Sequence, residues 1–390
     1  MKWKNSDRQK VVDIINRRDF ILGGLAGMGI LSAGGYSFVN SKAFGHKPAG
    51  ERLVRIQASP HYQDGQFVCL EPVGDIMENN DEAHEGRLKA TWKFLFGDKT
   101  GLVPGQPMLS KKTELQSLPR DEDVVIWMGH STFYIQLAGR RILLDPVFSS
   151  YASPVFFVNK AFPGSNVYAA ADFPDIDVLL MSHDHWDHLD YPSVMALKPK
   201  IGEIVCPLGV GAYFEQWGFS LDHIHEEDWF TEVKLAADFS VHVLPSQHFS
   251  GRFLEQNKTQ WAGFALAAAG KKIFCSGDGG YGGHFKQIGK QFGGFDLAIM
   301  ENGQYNKQWH RIHLLPEETA QAAEDVQAKV VIPAHNGKFA LSTHTWDAPY
   351  RELVAASQGR SYTLATPEIG EVVELGRLSV PLAHWWETME

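Results

Sequence analysis

The stretch LLMSHDHWDHLDYP, residues 179–192, carries three histidines and three aspartates within eight positions, directly after an apolar run. Imidazole nitrogens and carboxylate oxygens at this spacing are donors for divalent cations. His183 and His185 can turn to one side of a loop and share one ion, while Asp187 and His188 offer an oxygen and a nitrogen to a second. Zn²⁺ takes such donors at roughly 2.0–2.2 Å. Two ions roughly 3.5–4 Å apart hold a hydroxide between them and clamp a displacement reaction. Four donors on one loop do not complete two such sites, so the remainder must arrive from elsewhere in the chain.

The elements able to bring them are legible. The strand-like run DVLLMS (177–182) leads into His183, VHVLPSQ into His248, IFCSG into Asp278 and VVIPA into His335. Ligand sites in α/β folds gather at the C-terminal ends of strands, so these four ends can converge. Asp278 has two carboxylate oxygens and can bridge two ions. Upstream, VVIWMGHSTFYIQLAGRRILLDP reads as a strand, a second strand Phe133–Leu137, a turn at Ala138-Gly139 and a third strand through Ile142–Leu144. FDLAIMEN (295–302) is a further strand. Helices are expected in PLGVGAYFEQWG, ending at Gly218, in PEETAQAAEDVQA, opening with Pro316 and two glutamates, and over 347–357. The alternation predicts an α/β class, sheets covered by helices. The sequence shows no internal repeat.

Composition bounds the partners. Of 390 residues 44% are hydrophobic and 12% aromatic, ample for a large core and incompatible with a disordered or collagen-like chain. A net charge of −10 excludes the basic footprint of a nucleic-acid-binding protein. Cys69, Cys206 and Cys275 are scattered and read as free thiols, with a single disulfide as the alternative. Residues 1–43 hold paired Arg17-Arg18, then Phe20, a Gly-rich apolar run to about Val39 and a Ser-x-Ala triplet, Ser41 to Ala43. That pattern is expected of a twin-arginine signal, which implies a bacterial protein carried folded to the periplasm by the twin-arginine export machinery and cleaved after Ala43. The alternative is an uncleaved inner-membrane anchor. Residues 44–120, punctuated by Gly and Pro and including TWKFLFGD at 91–98, are expected to form an N-terminal extension packed on a core domain of residues 121–390.

With His183-Asp184-His185-Trp186-Asp187-His188 followed by His248, Asp278 and His335, the chain resembles the metallo-β-lactamase superfamily. More narrowly it is similar to the N-acyl-phosphatidylethanolamine-hydrolysing phospholipase D group, through WMGHSTFYIQ, ILLDPVFSSYASP, LLMSHDHWDHLDYPSV, LPSQHFSGR, SGDGGYGGHFKQIGKQFGGFDLAI and HLLPEETAQAAEDVQAKVVIPAHNGKFAL. These cover most of residues 123–345 in the family's order. The resemblance implies an αββα sandwich with two divalent metal ions at one edge. Zn²⁺ is the default, with Mn²⁺ or Fe as alternatives. One ion would take His183, His185 and His248, the other Asp187, His188 and His335, with Asp278 between them. It also implies that Asp145 orients the ligand loop from behind, and that His313, in RIHLLPEET, binds the substrate phosphate or assists the leaving group.

His130, in GHST, is placed either near the metals or as a buried hydrogen-bonded histidine. His223 and His225 repeat the His-x-His spacing but follow no strand end, so they read as a solvated strand or turn. His242 reads as a face residue of the strand leading to His248. The expected function is a phosphodiesterase of phospholipase D type acting on N-acyl or other phospholipids. A metal-bridging hydroxide would attack, Asp187 would orient it, and the enzyme would contact the membrane surface. The alternatives are a lactone, ester or amide hydrolase, or a non-catalytic envelope binding protein. Asn336 after His335, and the segment MENGQYNKQWHRIH, depart from the phospholipase pattern near the expected substrate pocket.

Overall fold

The computed structural model describes residues 41–72, 100–252, 255–307, 309–377 and 384–389. The twin-arginine stretch and the 91–98 aromatic patch fall outside them. Two units partition the chain, Met1–Gly45 and His46–Glu390, and both large sheets belong to the second. No helix among the described residues is long and apolar enough to cross a membrane.

Helix α1 (Gly50–Ala58) and a short hairpin, β1 (Tyr62–Gln63) with β2 (Gln66–Phe67), precede the main body. A first sheet is built from β3 (Val124–Trp127), β4 (Phe133–Leu137), β5 (Arg140–Leu144), β6 (Ile176–Leu180), β7 (Ile201–Pro207) and β8 (Ile224–Glu227). A second comprises β9 (Thr231–Ala236), β10 (Phe239–Leu244), β11 (Gly263–Ala268), β12 (Lys271–Cys275), β13 (Leu297–Glu301), β14 (Val330–Ala334) and β15 (Thr363–Leu364). The last strand, β16 (Val372–Glu374), returns to the edge of the first sheet beside β3.

Among the described residues each sheet has seven strands, in the orders β16-β3-β4-β5-β6-β7-β8 and β9-β10-β11-β12-β13-β14-β15. The first four strands of each order pair antiparallel and the remaining pairs are parallel. The same strand plan thus occurs twice in a chain without a sequence repeat. A shared pleat and pairing plan needs only apolar residues at matching parity, which leaves the residue identities free to differ.

The period-2 alternation of the strands sorts side chains into layers. Val125 and Trp127 of β3 enter the core between the sheets, which they share with Phe133, Ile135, Val241, Val243, Phe264 and Leu266. Ile126 and Met128 pack on the opposite face with α2 (Tyr191–Leu197) and α3 (Gly211–Gln216), through Val194, Leu197, Tyr213 and Phe214. On the outer face of the second sheet, α4 (His284–Phe292) and α5 (Pro316–Asp325) bring Phe285, Ile288, Ala322 and Ala323 against Phe274, Met300 and Val331. Helix, sheet, sheet, helix is the αββα sandwich. Each large apolar side chain buried in these layers contributes roughly 1.5–3 kcal/mol relative to exposure.

Helix starts follow capping chemistry. Asp190 accepts from the Ser193 amide at the head of α2, with Pro192 in the first turn. Glu318 folds back to accept the Leu315 amide, 2.9 Å, at the head of α5. The final helix, α6 (Ala348–Ala356), lends Tyr350 to the inter-sheet core, where it stacks on Trp386 at 5.0 Å and meets Trp385 edge-on. Described residues between Gly50 and Ser117 pack on the same sheets. Ile56 and Phe67 join the inter-sheet core, Leu115 joins the outer core, and Arg52 Nε donates to Glu226 at 2.7 Å. All three cysteines are free thiols.

Candidate metal centre

At one edge of the sandwich the strand ends meet. His183 lies three residues past β6, His248 four past β10, Asp278 three past β12 and His335 directly after β14. All seven residues expected as ligands come together. His185 Nδ1 stands 2.9 Å from His183 Nε2 and 3.2 Å from His248 Nε2. Nearby, His335 Nε2 and His188 Nε2 lie 3.2 and 3.5 Å from Asp187 Oδ2. One oxygen, Asp278 Oδ2, lies between the two groups. It is 3.0 Å from both His188 and His335, 3.9 Å from His248 and 4.0 Å from His183. Donors around a tetrahedral ion with bonds of roughly 2.1 Å stand about 3.4 Å apart, so these separations suit two adjacent ions.

The chemistry of the donor set agrees. Burial, reinforced by neighbouring histidines, holds His183 and His248 well below the usual imidazole pKa, so their lone pairs are free. His183 Nε2, His185 Nδ1 and His248 Nε2 face one another at hydrogen-bonding distance with too few protons to satisfy each other. For Asp278, burial works to raise the carboxyl. His188 and His335 override it and keep Asp278 well below the carboxylate range. Asp187 behaves alike, with burial opposed by His188 and by hydrogen bonds from His130 and His335. Burial lowers His335 but Asp278 and Asp187 outweigh it, raising the ring to about 10. An anion pair held by imidazolium protons is a site in which cations can replace those protons.

A layer behind the donors fixes their directions. Asp145 accepts from His188 Nδ1 at 2.8 Å, from Ser182 Oγ at 2.5 Å and from the Ser182 amide at 2.8 Å. Ser182 Oγ also reaches His183 Nδ1, 2.9 Å, and the Ile312 carbonyl accepts from His248 Nδ1, 3.0 Å. His130 joins this layer. It is fully buried and pushed down to about 3 by burial and His335, and its neutral ring donates from Nε2 to Asp187 Oδ2 at 2.9 Å. His130, Asp145 and His335 all have positive φ, 55°, 41° and 64°. Left-handed backbone at non-glycine residues is uncommon, and here it turns the chain sharply at the strand ends.

His313 lies beside both groups. Its ring stacks on His335 at 5.2 Å and meets His248 edge-on at 4.9 Å. Its Nδ1 donates to Glu301 Oε1 in a short hydrogen bond. Glu301, the last residue of β13 and 1% exposed, is a residue that sequence reasoning passed over. Its Oε2 accepts the amides of Gly279 and Leu314, each at 3.1 Å, so one carboxylate ties His313 to the Asp278 loop. The signal was present, since FDLAIMEN ends in a carboxylate as the other strands end in His or Asp. Asp184, inside the ligand motif, anchors the loop by accepting from Gly251 N, Tyr213 and Thr259. Arg252 stacks its guanidinium over Trp186 at 4.3 Å.

The ligands open onto a cleft of about 290 Å³ that His185, Asp187, Asp278, His313 and His335 share with Phe249, Gln304, Trp309, Ile312 and Leu341. No Lys or Arg is among these lining residues. The departure expected at Asn336 is not at this cleft. Asn336 is 1% exposed and donates to the carbonyls of Asn302 and Ala334, holding the strand end. The other departing segment does line it, through Gln304, Trp309, Ile312 and His313. His223 and His225 stay apart from the centre, each 2.9 Å from an oxygen of Glu203, a partner the sequence did not reveal. His242 is a half-buried face residue of β10 against Phe292.

An αββα sandwich with paired His/Asp clusters at the strand ends defines a metal-dependent hydrolase of the metallo-β-lactamase type. The family described as Beta-lactamase superfamily domain matches residues 140–336, and the chain belongs to that superfamily. It is 35% identical over 349 residues to an uncharacterised protein of Mycobacterium tuberculosis, covering 88% of this chain and 91% of that one. It is 28% identical over 357 residues to N-acyl-phosphatidylethanolamine-hydrolyzing phospholipase D 1 of Caenorhabditis elegans, covering 81% and 97%. Among solved structures it shares the fold of the isothiocyanate hydrolase from Delia radicum gut bacteria, at a TM-score of 0.51 and 16% identity over 64% of this chain and 98% of that one.

Proposed function

We propose that the protein is a dinuclear-metal phosphodiesterase of phospholipase D type that acts on phospholipids, N-acylated ones included, in the bacterial periplasm. The observation that carries the metal assignment is the position of Asp278 Oδ2 between two triads of donors. His183, His185 and His248 would hold one ion and Asp187, His188 and His335 the other, with Zn²⁺ the natural occupant of nitrogen and oxygen donors. Two such cations polarise a phosphoryl oxygen and lower the pKa of water.

The chain's own residues supply the rest. Asp187, half-buried at the cleft and held by His130, directs a carboxylate toward the reacting centre. His313 spends Nδ1 on Glu301, so Nε2 is the nitrogen left to meet a phosphoryl oxygen or the leaving oxygen. Phe249, Trp309, Ile312 and Leu341 provide apolar walls that exclude water. The similarity to the Caenorhabditis elegans phospholipase supports the phospholipid substrate. Arg17-Arg18 and the Ser41–Ala43 triplet support export by the twin-arginine machinery.

A second reading is a lactone, ester or amide hydrolase using the same ions, and the absence of Lys and Arg among the described lining residues favours it. A panel of a bis-aryl phosphodiester, a phospholipid, a lactone and an aryl ester separates the two. Phosphodiester and phospholipid turnover above the lactone and ester is the expected result, and the reverse order would overturn the phospholipid reading. His313→Ala should lower phosphodiester turnover by roughly 100-fold or more, the usual scale of a proton-transfer or charge-stabilising group. Unchanged turnover would remove His313 from the mechanism.

A further inference from the structure

We infer that the hairpin of residues 151–160 is the element that seats the cleft on a lipid surface. Its base is closed by pairing of Tyr151 with Lys160, by Ala152 N donating to the Asn159 carbonyl and by Ala161 N donating to the Ser150 carbonyl, both 2.9 Å. The tip presents Phe156 and Phe157, 77% and 72% exposed, the highest exposures among the large apolar residues described. Their rings meet edge-on at 5.5 Å, so each covers a little of the other and water the rest. No charged or histidine residue occurs from Pro146 to Asn159. Scattered exposed apolar residues need no explanation, but two adjacent phenylalanines on an uncharged projecting tip mark a contact site.

Three observations point to lipid as the occupant. The first is continuity with the cleft. Ala152 at the hairpin's root packs with Val147 and Phe339, and Leu341 packs on that cluster while also lining the cleft. The second is volume. A cleft of about 290 Å³ has no room for the long acyl chains of a phospholipid beside its headgroup, so the chains must stay in the bilayer and the cleft must come to them. The third is shape and charge. A stable protein interface needs roughly 800 Å² from each partner, which a two-ring tip does not provide, and the tip offers no charge to pair. Lys160, exposed where the base closes on Tyr151, offers a cation to anionic headgroups. The volume argument and the purpose of the hairpin rest on the phospholipid reading above, while the exposed tip and its continuity with the cleft stand apart from it.

A nitroxide on Phe157→Cys in the full metal-loaded chain, mixed with phosphatidylethanolamine and phosphatidylglycerol vesicles, tests the contact locally. Vesicles should raise its collisions with oxygen and cut those with a water-soluble nickel chelate at least threefold. Unchanged access to the chelate overturns the inference. So does protection that appears without vesicles as protein concentration rises, because a second copy of the chain would then be the occupant. The companion variant Phe156→Ser/Phe157→Ser should lower turnover of vesicle-borne N-acyl phosphatidylethanolamine at least tenfold and leave a soluble bis-aryl phosphodiester within twofold. Equal losses on both substrates count against lipid seating. If neither substrate is hydrolysed, the functional reading fails while the nitroxide still decides the contact.

Discussion

The two sheets follow one strand plan, yet they deliver their chemistry differently. In the first, β6 is followed by a single loop that carries His183, His185, Asp187 and His188. In the second, His248, Asp278 and His335 come one at a time from the ends of β10, β12 and β14. Positions that correspond in the two plans have parted roles. Asp145 after β5 matches Asp278 after β12, but Asp145 faces Ser182 and His188 Nδ1 while Asp278 faces the ligand nitrogens. His130 between β3 and β4 matches His248 between β10 and β11, and His130 holds Asp187 where His248 joins a donor triad. One rim thus contributes donors in a cluster together with the residues that orient them. The other rim supplies the remaining candidate donors one strand at a time.

The largest effect should come from the pair that differs most. Asp278→Ala removes the oxygen shared by both triads and should lower hydrolysis by more than about 1,000-fold, beyond the usual cost of one stabilising group. Asp145→Ala, its counterpart, should weaken metal affinity by roughly 10–100-fold, the scale of an orienting partner, with activity restored at high metal. Metal titrations followed by rate measurement check both, and equal losses that metal cannot restore would erase the distinction.

Gly303→Ala comes next. A Cβ there would stand 1.9 Å from the His335 carbonyl oxygen, so the loop after β14 must shift. A stability loss of about 1–3 kcal/mol in denaturant melts is expected, with loss of the ion that His335 would hold. A smaller effect is expected from pH on the metal-free protein. His335, raised to about 10 by Asp278 and Asp187, contributes stability that is complete below its unfolded pKa and is lost as pH rises through about 10. The melting temperature of chelated protein should therefore fall between pH 7 and 10 more than that of loaded protein. Metal binding in this range should release protons, measurable by calorimetry in buffers of different ionisation enthalpy. The smallest effect should be at His223 and His225. Their pairing with Glu203 is partly exposed and far from the centre, so alanine at either should change stability by less than about 0.5 kcal/mol and leave metal content unchanged.

Much of this centre was legible because its donors are chemically distinctive and sit where strands end. The strands β4, β10, β12, β13 and β14 follow from apolar runs bounded by turn residues. Others hide in the sequence. β11, GFALAA, is rich in alanine and carries little strand propensity, and β7 opens with Ile201-Gly202-Glu203. The doubled strand plan left no repeat to read, since pairing constrains residue parity rather than identity. The cleft walls were equally silent. Phe249, Trp309, Ile312 and Leu341 belong to loops whose paths are set by tertiary contacts, and Asn336 looked like a pocket residue until its amide was seen to hold a strand end. The positive φ of His130, Asp145 and His335 is likewise a consequence of convergence, with no local signature.

Metal content of the purified, folded protein, measured by plasma mass spectrometry beside that of Asp278→Ala, bears most directly on the two-rim account. The account predicts close to two divalent ions per chain, falling to one or fewer in the variant. A folded protein with none, or with one ion that Asp278→Ala leaves in place, would contradict it.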